Sequence, residues 1–173
     1  MDAYTIIVMI FGLLILTILI LLYFYNRIKI KENEVLKQYN HVKKYILEER
    51  NNILEMVKFI KETFEDEGAY AKELTASVEI LDHLSNKDGN LKKLKKVQST
   101  NQYFFDLEKV YPKLKKNKDY LTLKEKATTI RERMIYSFDD YNKKVREYNA
   151  MDEIEIYSRI KKIARFPKYD CYK

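Results

Sequence analysis

Residues 120–149 read YLTLKEKATTIRERMIYSFDDYNKKVREYN, and the spacing of their apolar side chains decides the fold. Tyr120, Leu123, Ala127, Ile130, Met134, Ser137, Tyr141, Val145 and Tyr148 recur at steps of three or four, the period that lines side chains along one face of an α-helix. No Gly or Pro interrupts them, and the alternation of a strand is absent. The segment closes on YNKKVREYN, a Tyr-Asn pair set down twice, seven residues apart. Tyr141 and Tyr148 fall on the stripe with Val145 between them, and Asn142 and Asn149 sit one step off it, placed to hydrogen-bond across to a neighbouring helix. An aromatic stripe at helical spacing points to a buried seam rather than to a ligand site.

The same period extends upstream. A helix is expected from about Leu91 to Val110 through Leu94, Val97, Phe104 and Leu107, with Pro112 ending it and the next helix starting near Asp119. Earlier, Val35, Tyr39, Val42, Ile46, Ile53, Val57, Ile60 and Phe64 form one stripe, interrupted only near Glu49. That stripe stays in phase through Ala71, Leu74, Val78 and Leu81, so the sequence leaves open whether this helix breaks at Glu67 to Ala69. The turn NKDGN, Asn86 to Asn90, carries an Asp-Gly step followed by a capping Asn. A short amphipathic piece with Ile154, Tyr157, Ile160 and Ile163 leads into the basic end KKIARFPKYDCYK. With two Gly and two Pro beyond residue 26 and no strand pattern, the fold class is all-α: an antiparallel bundle of about four helices.

From Ala3 to Asn26 there is no charge, and IIVMIFGLLILTILILLYFY is long enough for a helix to cross a hydrocarbon core of about 30 Å. The only charge upstream is Asp2, so the basic start of a cleaved signal peptide is missing and the run reads as an uncleaved anchor. Arg27, Lys29, Lys31, Lys37, Lys43 and Lys44 follow it, which places the amino terminus outside and the rest in the cytoplasm. Tyr4 at one end, and Tyr23, Phe24 and Tyr25 at the other, suit the two interfaces. The chain is therefore divided as 1–26, a single-pass anchor integral to the cell membrane; 27–151, the bundle; and 152–173, the amphipathic piece and tail.

The formal net charge is +7, and because Asp2 is the only charge before Arg27 the remainder carries +8, a surface drawn to anions. KKLKK (Lys92, Lys93, Lys95, Lys96) and PKLKKNK (Lys113, Lys115, Lys116, Lys118) concentrate that charge near helix ends. A solvated surface explains them best, and contact with anionic lipid is the functional alternative. Nucleic acid is disfavoured, because no recognition motif and no aromatic platform accompany the lysines.

The chemistry-bearing residues argue against an enzyme. Di-iron bundles use Glu-x-x-His pairs, but Gln38 precedes His41 and Ile80 precedes His83. Cys171 and two distant histidines cannot make a zinc site, and one cysteine forms no internal disulfide. Asp139 and Asp140 are about 100° apart around a helix and do not face each other. There is no Gly-rich phosphate loop. No catalytic residue, metal or cofactor is expected.

VYPKLKKNKDYLTL and YNKKVREYN, with an anchor that ends in Tyr25-Asn26, resemble the LemA family of bacterial membrane proteins. The matching positions are Asn26, Tyr111, Pro112, Leu114, Lys115, Tyr120, Leu123, Tyr141, Asn142, Val145, Tyr148 and Asn149. In the first bundle helix YILEERNNILEMV keeps the family's Asn as Asn52 and lacks its Pro, while Arg131 and Phe138 stand where the family usually has Glu and Arg; the chain is a divergent member. The resemblance implies a single-pass protein with a helical bundle and implies no reaction. The expected function is a scaffold or interaction module that binds a protein partner or itself, with lipid binding through the basic loops and tail as the alternative.

Overall fold

The computed structural model describes residues 2–64, 69–86, 102 and 104–172. These form α1 (Ala3–Thr63), α2 (Ala69–Asn86), α3 (residues 104–110), a 3-10 turn at Pro112–Lys116, α4 (Lys118–Ala150), a second 3-10 turn at Met151–Glu153, and α5 (Glu155–Ile163). There is no strand among the described residues, and the chain is all-α. Two boundaries have a local cause. Pro112 opens the 3-10 turn at a position whose N–H would have no partner anyway. Asn117 caps α4, its Oδ1 accepting the Tyr120 N–H at 2.9 Å.

α1 is one unbroken helix from the apolar run into the stripe that follows it. Of the described helices, it alone is long and apolar enough to cross a membrane. It ends at Thr63, with the Phe64 N–H bonded to the Ile60 carbonyl, so the stripe beyond Gly68 belongs to α2. Residues 65–68, where the sequence allows a break, and the turn from Lys87 to Asn90 lie outside the described residues, as does the expected helix before residue 102.

The chain groups into two compact units, the first formed by residues up to 37 with 142–171, the second by 38–141 with Tyr172. In the second unit α1 and α4 run antiparallel: Tyr39 meets Tyr141 at 6.1 Å between rings, and Glu55 meets Lys126 at 2.6 Å. Arg50 pairs with Asp82 of α2 and Glu108 with Lys124 of α4. An aromatic cluster of Phe59, Phe104 and Tyr120 closes the core, with centroids 5.1–6.3 Å apart. Each such fully buried ring contributes roughly 1.5–3 kcal/mol of apolar transfer.

The α4 stripe is buried as its spacing predicts, apart from the half-buried Leu123, and Phe138 joins it. The α1 stripe needs correction. Tyr39, Val57 and Phe64 are half-buried at its margin, and Met56 and Phe59 take their place inside. The supposed interruption at Glu49 is no gap, because Glu49 itself is buried at 2 % exposure, on the three-and-four path between Ile46 and Ile53. Asn52, one step from Ile53, is 0 % exposed. A polar letter concealed a core position.

Candidate functional site

The Tyr-Asn repeat lies on the last turns of α4. Tyr141, Val145 and Tyr148 are buried, as a seam requires. Tyr148, in the first unit, is surrounded on three sides. Its hydroxyl donates to the Pro167 carbonyl at 2.9 Å, the Tyr169 ring meets it edge-on at 5.4 Å, and the Lys161 ammonium stands 3.7 Å from its ring centroid. Burial, and then the Glu32 carboxylate nearby, push the phenol well above its usual range. Lys161 is only 6 % exposed, yet it donates to the Tyr148 carbonyl at 3.1 Å and pairs with Asp152 at 2.9 Å. A carbonyl, a π-face and a carboxylate together satisfy the buried cation.

Their place one step off the stripe allows the asparagines to bond across to a neighbouring helix. Asn149 does otherwise: its Nδ2 donates to the Tyr169 carbonyl at 2.9 Å, and the Cys171 thiol approaches the Asn142 carbonyl at 3.8 Å. One step off the stripe is the edge of the helix, and the returning carboxyl-terminal segment occupies that edge. The repeat thus serves as a seam through its tyrosines, while Asn149 holds the tail.

One turn further along, a closed ring of four charges ties α1 to α4 within the first unit. Lys31 pairs with Glu34 and with Glu147, both at 3.0 Å, and Lys144 pairs with Glu34 at 3.0 Å and Glu147 at 3.1 Å. Hydrogen bonding to Lys144 and then Lys31 holds Glu34 below the usual carboxylate range, and Lys31 and then Lys144 do the same to Glu147. Both ammonium groups are raised in return. All four side chains are about a third exposed, so solvent and salt weaken the ring. Its geometry sets the register of the two helices more than it adds stability. Apolar periodicity does not reveal the ring, although the i,i+3 spacing of Lys31 to Glu34 and of Lys144 to Glu147 signals two of its four edges.

Below the ring, the end of the apolar run meets the carboxyl-terminal segment. Phe24 packs edge-on against Tyr157 at 5.1 Å, and Tyr25 against Phe166 at 5.4 Å. α5 carries a correction. Tyr157 and Ile160 are half-buried, but Ile154 and Ile163 are exposed, Ile163 at 83 %, and the inward position belongs to Lys161. The contacts of Lys161 with Tyr148 and Asp152 set this rotation, which apolar periodicity cannot anticipate. α5 stops through paired bonds, Phe166 N–H to the Lys161 carbonyl at 2.9 Å and Arg165 N–H to the Lys162 carbonyl at 3.3 Å, with Arg165 at φ 55°. This is the left-handed closing position that Gly normally fills.

The remaining signature residues lie elsewhere. The Tyr120 hydroxyl donates to the carbonyls of Phe104 at 3.0 Å and Phe105 at 3.2 Å, and burial pushes it up to about 12. Leu114 is buried in the 3-10 turn, Pro112 is exposed, and Tyr111 lies 4.3 Å from the Phe64 ring. Asn26 is exposed, whereas the amide atoms of Asn52 have no hydrogen-bond partner among the described residues. Phe138 stacks on Tyr172 at 3.9 Å, an apolar contact. Lys113, Lys115, Lys116 and Lys118 are exposed and make no ion pair among the described residues; Lys92, Lys93, Lys95 and Lys96 lie outside them. The signature is therefore distributed over both units, buried at Leu114, Tyr120, Tyr141, Val145 and Tyr148 and exposed at Asn26, Tyr111, Pro112 and Lys115.

The family model of the LemA family matches residues 30–173. No curated protein matches the chain at a significant level.

Proposed function

The chain belongs to the LemA family, which is membrane-associated, and from that membership we propose that it is a non-enzymatic, single-pass anchor that presents a helical bundle to a protein partner or to a second copy of itself. The observation that carries this reading is the continuity of α1, which passes from an exposed apolar run into buried core positions beginning at Ile28 without a loop. The amino terminus lies outside and the bundle in the cytoplasm, on the bias of Lys and Arg after the apolar run.

The exposed apolar side chains of the second unit supply contact positions, among them Leu54 on α1 and Ile135 and Tyr136 on α4. The test places a photo-crosslinking amino acid at Tyr136 or at Leu54 in the full chain, in intact cells. Discrete adducts that an Ile135→Asp change abolishes support the reading. If neither position yields an adduct, and the full chain in nanodiscs is monomeric, the reading fails.

A further inference from the structure

α5 is held at both ends at one level of α1. Tyr157 near its start packs on Phe24, and Phe166 just past its end packs on Tyr25, with the Lys29 ammonium 5.8 Å from the Phe166 ring centroid. Phe24 and Tyr25 differ in height along α1 by one residue, about 1.5 Å. Two points nine residues apart on the chain thus meet adjacent residues of α1, as they would if α5 lay across it, in the plane of any bilayer that α1 crosses. That height is also where the uncharged run ends, at Asn26.

The outer side of α5 is a mixture that water does not favour. Ile163 is exposed beside the exposed cations Lys162, Arg165 and Arg159, the last of which pairs with Glu155. Arg165 occupies its left-handed backbone conformation without an ion pair among the described residues. An arginine where Gly would sit without strain makes the side chain, rather than the backbone, the reason for the residue.

The geometry points to α5 as an interfacial helix seated on the headgroup layer of the bilayer that α1 crosses, with Ile163 at the acyl-chain boundary, Lys162 and Arg165 on the phosphates of anionic lipid, and Arg159 shared between Glu155 and that layer. This rests on α1 being the anchor proposed above. It assigns lipid contact to α5 rather than to the basic loop at Pro112–Lys118.

The chain has no Trp, so single substitutions report depth by fluorescence. The full chain carrying Ile163→Trp, Leu14→Trp or Leu36→Trp is reconstituted into vesicles of equal parts phosphatidylcholine and phosphatidylglycerol. Acyl chains are brominated either near the glycerol or at mid-chain. Shallow bromine is expected to quench the Ile163→Trp protein at least about twofold, deep bromine the Leu14→Trp protein, and neither the Leu36→Trp protein. Quenching of the Leu14→Trp protein without quenching of the Ile163→Trp protein overturns the inference and leaves the anchor standing. Blue-shifted but unquenched emission from the Ile163→Trp protein also overturns it, because protein rather than lipid then covers α5. If no bromine quenches either variant, the anchor fails, and the inference with it.

Arg165→Gly in the Ile163→Trp background tests the anion contact. Melting should stay level or rise, because Gly accepts the backbone conformation, while the gain in quenching on adding phosphatidylglycerol should shrink. An unchanged gain in that variant and in an Arg159→Gln, Lys162→Gln double variant overturns the phosphate contact.

Discussion

At the scale of single residues, Asn52 and Tyr148 illustrate opposite uses of a polar group in a core. Tyr148 is buried with its hydroxyl bonded to Pro167 and its ring covered by Lys161, whereas Asn52 is equally buried with an amide that meets no partner among the described residues. Desolvating such an amide costs roughly 1–3 kcal/mol. Asn52→Leu, close in volume, should therefore stabilise the full chain by about 1–2 kcal/mol, read as a rise in melting temperature by circular dichroism in detergent; a fall would mean that the amide is satisfied. Removing bonds that are made has the other sign. Tyr148→Phe and Asn149→Ala should each destabilise by about 1 kcal/mol. Amide exchange should then quicken at residues 168–171 while α4 keeps its protection; unchanged exchange in the tail would show that Asn149 does not hold it.

At the scale of the elements, the four-charge ring determines how the pairing of α1 with α4 responds to pH. Glu34 and Glu147 are lowered from the ordinary value of 4.5, so their contribution is complete above that value and is lost as pH falls through the lower folded one. Lys31 and Lys144 are raised from 10.5, so theirs is complete below 10.5 and is lost as pH rises through the higher folded one. Melting temperature should be level from about pH 5 to 10 and fall on both sides. In a Lys31→Met, Lys144→Met variant the part of the acid fall due to Glu34 and Glu147 should disappear, and in wild type high salt should reduce it. An acid limb identical in the two proteins would assign it to other carboxylates.

At the scale of the whole molecule, the charge bias after the apolar run leads to a topology that labelling can check. Cys171 is half-buried against the Asn142 carbonyl, so a Cys171→Ser background with Lys113→Cys offers a better exposed thiol. A membrane-impermeant maleimide should leave that thiol unlabelled in intact cells and label it after lysis. Labelling in intact cells would put the bundle outside and reverse the assignment. The net charge of +7 bears on the same question, because a basic domain on the cytoplasmic side faces the more anionic leaflet.

Much of this protein is legible in its sequence, for a local reason. Helical period and the place of a stop depend on neighbours within two turns, so α4, the end of α3 before Pro112, the apolar run and the buried tyrosine seam all follow from spacing. The burial of Glu49 and Asn52, the inward turn of Lys161, the exposure of Ile163 and the bond from Asn149 to the tail were decided only by tertiary structure. Each depends on partners far away in the chain. Periodicity tells which face of a helix is apolar, but whether a polar side chain enters that face depends on what packing brings opposite it.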